Sequence, residues 1–283
     1  MIDAHLPSLD RLPQHRTLLE RAFARFRDDA RAVGLVVGGS LARGGADFYS
    51  DVDLYVVVRD GAFEDVFAER NCTAEAVGSP LFGFAVDPVE GGSTDYIVLY
   101  EGPVKFDFMY LRESDLGSHP RWDGCVVLKD TDGRLGTVVA RSEAIGPPRP
   151  SAGDLSELNL KFWTLCWYAF GKIERGELWE ALDSLHSIRT LALVPLLDWN
   201  AERSHEGYRR LERKMNQEQA SRLSATVAPM RARALHAALR AEVELFRELR
   251  AAVLDRYGLP VDLAHEEVLE SELSRRWAAR GAV

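Results

Sequence analysis

Positive charge is in short supply: 35 Lys and Arg residues stand against 44 Asp and Glu, for a formal net charge of -9. That balance argues against a nucleic-acid polymer as the main partner, because such polymers need clustered cations to neutralise their phosphates. Cysteine is scarce as well. The three present, Cys72, Cys125 and Cys166, are an odd and unclustered set with neither metal-ligand spacing nor a disulfide framework, which predicts a reducing cytoplasm. Long apolar runs are missing. The longest, Leu191 to Leu197, is broken by Pro195 and falls far short of the roughly 20 residues that cross a bilayer, so no membrane association is expected. The opening stretch MIDAHLPSLDRLP has no apolar core of the kind a signal peptide needs. Low-complexity tracts and internal repeats are also lacking. What remains is a chain of 283 residues, enough to bury two modest cores, with an acidity that would concentrate a small cationic ligand.

The chain is organised around residues 34–58, GLVVGGSLARGGADFYSDVDLYVVV. Leu35, Val36 and Val37 run into Gly38-Gly39-Ser40, and Asp51-Val52-Asp53 leads into a β-branched run too short for a helix. In a strand Asp51 and Asp53 project from one face, roughly 6–7 Å apart along the backbone. Two such carboxylates can grip a pair of hard cations roughly 3.5–4 Å apart, the spacing used for in-line phosphoryl chemistry. Backbone N–H groups at Gly39 and Ser40, with the Ser40 hydroxyl, could cradle phosphates. An Asp-x-Asp pair alone is usually a solvated strand edge and a Gly-Gly-Ser alone is usually a loop. Here they come in order, ten residues apart, at the mouth of an apolar strand.

Residues 14–32 read as an amphipathic helix with Leu18, Leu19, Ala22, Phe23 and Phe26 on one face, and Ala62 to Ala76 as a second helix stopped by Gly78 and Pro80. TDYIVLY (94–100) and VKFDFMYL (104–111), joined by Glu101-Gly102-Pro103, predict a hairpin. Asp107 sits mid-strand between two phenylalanines. A carboxylate there needs a cation or a hydrogen-bond partner, so Asp107, rather than Asp95 at a strand start, is the candidate third acid beside Asp51 and Asp53. Residues 126–130 predict one more strand and turn. The stretch IGPPRPSAG (145–153) reads as a linker, giving domains over 1–145 and 154–283 with the linker at 146–153.

Beyond it the pattern is helical. Asp154 is expected to cap a helix over about 155–175, whose aromatics Phe162, Trp163, Trp167, Tyr168 and Phe170 suit a core. Further helices are expected over 177–200, kinked at Pro195, then over 205–224, 229–257 and 266–280. Trp179 and Asp183 are four apart and project together. The fold class is therefore α+β: an N-terminal domain with a mixed sheet and flanking helices, then an all-α helical bundle.

The Gly-Gly-Ser followed by Asp-x-Asp resembles the signature of the DNA polymerase β-like nucleotidyltransferase superfamily. YIVLYEGPVKFDFMYLRESDL, LNLKFWTLCWYAFGKIERGELWEALDSLHSIR and FRELRAAVLDRYGLPVD are similar to segments of the aminoglycoside (streptomycin-type) 6-adenylyltransferases, so the resemblance spans nearly the whole chain. It implies magnesium-dependent transfer of AMP from ATP to a hydroxyl of an aminoglycoside antibiotic, with release of pyrophosphate, in a cleft between two domains. Carried over, Gly39 and Ser40 would hold phosphates and Asp51 and Asp53 would bind metal. Asp107 would complete the metal site or take the proton from the attacking hydroxyl. Lys172 and Arg175 would contact the triphosphate. Trp179 and Asp183, with Glu177 and Glu180 as alternatives, would face an amine-bearing sugar. Leu41 stands where the family usually has an Arg after Gly-Ser, and the nearest basic residue is Arg43. A lincosamide or another small hydroxylated metabolite as acceptor, or a nucleotidyltransferase-type antitoxin or binding protein, are the competing expectations. Either way the chain would act as a monomer or homodimer.

Overall fold

The structure, a computed structural model, describes residues 5–86, 93–260 and 264–281. Parts of two expected segments therefore lie outside the described residues: Met1 to Ala4 of the opening stretch, and Val261 and Asp262 at the end of FRELRAAVLDRYGLPVD. The chain forms two compact units, Met1–Gly146 and Pro147–Val283.

In the first unit α1 (Pro13–Arg27) leads to β1 (Ala32–Val37), a single turn α2 (Gly39–Ala42) and β2 (Val52–Val58). Then come α3 (Phe63–Ala68), α4 (Arg70–Val77), β3 (Pro80–Val86), β4 (Thr94–Tyr100), β5 (Val104–Arg112), β6 (Val126–Asp130) and α5 (Arg134–Glu143). The strands make one sheet in the order β3-β4-β5-β2-β1-β6. β2 and β5 run parallel, and the other neighbours are antiparallel. Alternation divides the sheet's faces. Val52, Leu54, Val56 and Val58 of β2 pack with Phe106, Phe108 and Tyr110 of β5 beneath Leu19, Ala22 and Phe26 of α1. Val36, Val57, Leu111 and Trp122 form a smaller cluster on the other side with Leu135 and Val139 of α5.

Several expected boundaries move. α1 stops at Arg27 rather than running to 32, because Asp29 accepts the Arg31 backbone N–H at 2.9 Å and turns the chain before β1. The helix expected over 62–76 is two, with Glu69 between them and its carboxylate held by Arg25 (2.7 Å) and Arg31 (2.6 Å). β3 and α5 were not expected. β3 begins at a proline, which an edge strand tolerates. The Asp29 carboxyl is held down to about 2, chiefly by its hydrogen bond to Arg31. A depressed carboxylate stabilises the fold above its unfolded pKa, and that contribution is lost as pH falls through the folded value. Asp29→Asn should therefore lower stability at neutral pH by about 1–2 kcal/mol after screening and flatten the acid limb between about pH 4 and 2, read by urea midpoints across that range. An unchanged acid limb would refute the pairing.

The second unit is helical: α6 (Ala152–Glu174), α7 (Leu178–Ile188), a π-helical turn Arg189–Leu193 and α8 (Val194–Asn200), followed by α9 (Leu211–Lys214), α10 (Gln217–Ser224), α11 (Ala232–Tyr257) and α12 (Ala264–Gly281). Ser151, not Asp154, is the N-cap of α6. Asp154 is its capping-box partner, and the two exchange hydrogen bonds between side chain and backbone. The π turn sits just before Pro195 and takes up the hydrogen-bond defect that a proline makes in a helix. Residues 201–210 are not helical: Arg203 and His205 both turn back to Asp198. Phe162, Trp163 and Phe170 are buried with Leu193, Leu239 and Phe246, whereas Trp167 and Tyr168 of the same expected stripe are exposed. Among the described residues no helix is long and apolar enough to cross a membrane.

Candidate active site

Sequence separated by 54 residues is brought together at the centre of the sheet. In the parallel β2–β5 register Asp53 is paired with Asp107, between Val52↔Phe106 and Leu54↔Phe108. Because register partners share a face, both carboxylates leave the side opposite the aromatic core. Asp51, immediately before β2, reaches the same place through Lys105. The Lys105 ammonium donates to Oδ2 of Asp51 and to Oδ2 of Asp107, each at 2.7 Å. Asp95 lies on this face too, opposite Met109, but its carboxylate is engaged by Ser93 at 2.6 Å.

The Asp53 carboxylate lies over the glycine turn. Gly39 has φ +63°, and a Cβ on it would stand 1.8 Å from Oδ2 of Asp53. Only glycine fits both the left-handed backbone and that approach. Gly38 donates its N–H to the Asp53 carbonyl at 3.0 Å, which ties the turn to the first residues of β2. Nearby, His15 of α1 is buried and its Nε2 lies 2.8 Å from the Ser50 carbonyl, holding the approach to Asp51. Phe48 and Tyr49, on the loop between turn and strand, are 57% and 89% exposed. Arg43 is exposed at the end of α2, beside Gly124.

Electrostatically the cluster is a partly desolvated set of acids with one internal cation. Burial raises the Asp107 carboxyl above its ordinary value, and the Lys105 hydrogen bond pulls the other way. For Lys105, burial lowers the ammonium but the hydrogen bonds to Asp107 and Asp51 outweigh it and raise it. Cys125, next to the glycine turn, is pushed up to about 11, mainly by burial, which makes it an inert thiol. Asp107 Oδ1 is buried and has no hydrogen-bond partner. A buried carboxylate oxygen left open is costly unless a cation engages it, so the donor set fits a hard divalent ion. Among the described residues, however, no three acidic, histidine or cysteine side chains already converge as a metal-binding group. Asp51 and Asp107 meet through Lys105 rather than directly.

The remaining expected residues lie in the second unit, at the corner between α6 and α7. Lys172 pairs with Glu177 (2.7 Å) and Glu180 (2.6 Å), and Arg175 with Glu177 (2.6 Å). The Tyr168 hydroxyl donates to Glu180, and Lys172 lies over the Tyr168 ring. The two cations expected at a triphosphate and the two alternative acceptor carboxylates are thus partners of one another. Hydrogen bonds from Lys172 and then Arg175 hold the Glu177 carboxyl down to about 2. Trp179 is 77% exposed, and Asp183, one turn on, is exposed beside it.

Lys105 and Tyr168 were not anticipated. For Lys105 the signal was present: two residues before Asp107 in a strand puts it on the same face. For Tyr168 an aromatic at helical spacing reads as core, and its hydroxyl partner arises only in the fold.

The sequence profile of the streptomycin adenylyltransferase family matches residues 15–273. Solved structures similar to the chain include an aminoglycoside 6-adenyltransferase from Bacillus subtilis, at 16% identity and a TM-score of 0.44, covering 91% of this chain and 96% of that one. A nucleotidyltransferase-like protein from Exiguobacterium sibiricum is another, at 10% identity and a TM-score of 0.40, covering 85% of this chain and 77% of that one. A comparison with curated proteins finds no match. With the match running through both units, the chain belongs to the streptomycin adenylyltransferase family and is a nucleotidyltransferase.

Proposed function

We propose that the protein transfers AMP from ATP to a hydroxyl of a small cationic acceptor, an aminoglycoside of the streptomycin type, in the cytoplasm and with magnesium. The observation that carries this reading is the in-register pairing of Asp53 with Asp107 on parallel strands, with Asp51 tied to the same cluster, in a chain of this family. Asp51, Asp53 and Asp107 would hold the metal. When bound, magnesium neutralises phosphate charge and lowers the barrier to displacement at the α-phosphorus. The chain's own residues do the rest. Gly39 and Ser40 offer a turn without side-chain bulk against which phosphates can lie. Trp179 and Asp183 supply a ring face and a carboxylate that suit an amine-bearing sugar, and the net charge of -9 favours a cation's approach. Lys172 and Arg175 are the proposed contacts to the triphosphate; Lys172 is paired with Glu177 and Glu180, and Arg175 with Glu177.

Pyrophosphate release from ATP and magnesium, followed across a panel of aminoglycosides and lincosamides, tests the proposal. Release that depends on streptomycin or a related aminoglycoside is the expected result. Release with a lincosamide alone would reassign the acceptor, and none with any acceptor would refute the transfer.

A further inference from the structure

We propose that Lys105 is a resident counter-cation of the acidic cluster, seated between Asp51 and Asp107 and displaced when a divalent ion arrives. Metal binding is then an exchange of cations rather than the filling of a vacant acidic hollow. Lys105 takes this role only if these aspartates hold metal, as proposed above. Its ammonium engages Oδ2 of both acids at 2.7 Å, so a metal using those oxygens must take them from lysine. Asp107 Oδ1 stays buried and unpartnered beside that contact, offering an arriving ion a first foothold while the ammonium still holds Oδ2.

The residue type suits the task. An ammonium on a flexible stem is a compact point charge with three donors and no fixed fork, so it can swing out as a unit, whereas a guanidinium would grip both carboxylates in a planar frame. β5 seats it for that. Lys105 and Asp107 are alternate residues of one strand on one face, Leu99 of β4 lies opposite Lys105, and the ammonium reaches Asp51 as well as Asp107. The side chain is 37% exposed, which leaves a way out to solvent. Without this ammonium, like charges would crowd a partly desolvated face. An ordinary surface ion pair would behave differently: its removal would leave metal affinity where it was.

Manganese alone, without nucleotide, is the probe. Its binding to the full chain is read by the electron paramagnetic resonance of free Mn2+, and the metal-free and metal-bound Tm values are recorded alongside. In Lys105→Met the Kd for Mn2+ should tighten by at least about tenfold, since a positive charge within a few ångströms of the ion and a competitor for its ligands are both gone. The same variant should melt earlier without metal and gain more from Mn2+ than the wild type. Lys105→Arg, which keeps the charge, should not tighten Mn2+ binding. Lys105→Gln is read in the same way if the methionine variant does not fold. Wild-type binding that is weakened by Asp107→Asn but not tightened by Lys105→Met or Lys105→Gln would overturn the role of Lys105 and leave the metal site standing. Mn2+ binding indifferent to Asp107→Asn, or absent from the wild type, would overturn both.

Discussion

Asp53→Asn should lower acceptor-dependent pyrophosphate release by about 10³-fold or more while leaving the fold in place. The expectation follows from where the carboxylate sits. Asp53 is the register partner of Asp107, which puts the two side chains on one face, and its carboxylate lies over Gly39. Asparagine has the same shape, fills the same space and can keep the backbone bond from Gly38 to the residue 53 carbonyl. What disappears is one negative charge from a site proposed to hold a divalent ion. Such an ion supplies several kcal/mol at the transition state, and about 4 kcal/mol is a thousandfold in rate. Pyrophosphate release measured beside Tm and far-ultraviolet circular dichroism decides it. Retained turnover in a folded variant would remove Asp53 from the metal site.

Gly39→Ala is expected to be nearly as damaging by another route. The added Cβ would stand 1.8 Å from Oδ2 and 2.9 Å from Cγ of Asp53, so either the carboxylate or the turn must move. Alanine must also adopt φ near +63°, a left-handed backbone that costs an L-residue about 1–2 kcal/mol. The stability loss should therefore be modest, about 1–3 kcal/mol, and the loss of transfer about 10²-fold, because misplacing a reacting group by an ångström costs on that order. Chemical denaturation and the same release assay separate the two effects. Wild-type activity in Gly39→Ala would show that the closeness of Asp53 to the turn has no part in the chemistry.

Much of this arrangement is legible before any coordinates. β1, β2, β4, β5 and β6 are all apolar β-rich runs bounded by turn residues, and α6, α7 and α11 carry a helical apolar stripe. Asp107 stands out from the cost of a carboxylate in mid-strand. β3 is hidden because Pro80 opens it, Gly83 interrupts it and both of its faces are exposed, so no alternation marks it. α5 is hidden by the glycine and threonine in its first half. The N-cap of α6 is misjudged by one turn because Ser151 and Asp154 are both good caps, and only the backbone geometry says which side chain receives which N–H. Lys105 shows where sequence reading stops. Its place two residues before Asp107 puts it on the acid face, but a strand lysine is normally a solvated charge, and its pairing with Asp51, on a different strand's approach, arises only in the fold.

The stacked rings on the buried face of β5 have a bearing on the fidelity of assembly. Phe106 and Phe108 lie with centroids 4.2 Å apart, Tyr110 follows them, and Lys105 and Asp107 alternate with them on the other side. Sliding β5 by one residue against β2 would turn those rings toward water and drive an ammonium and a carboxylate into the hydrocarbon interior. A misaligned strand therefore cannot persist as a near-native, inactive by-product, because the aromatic ladder proofreads the alignment on which the acidic face depends.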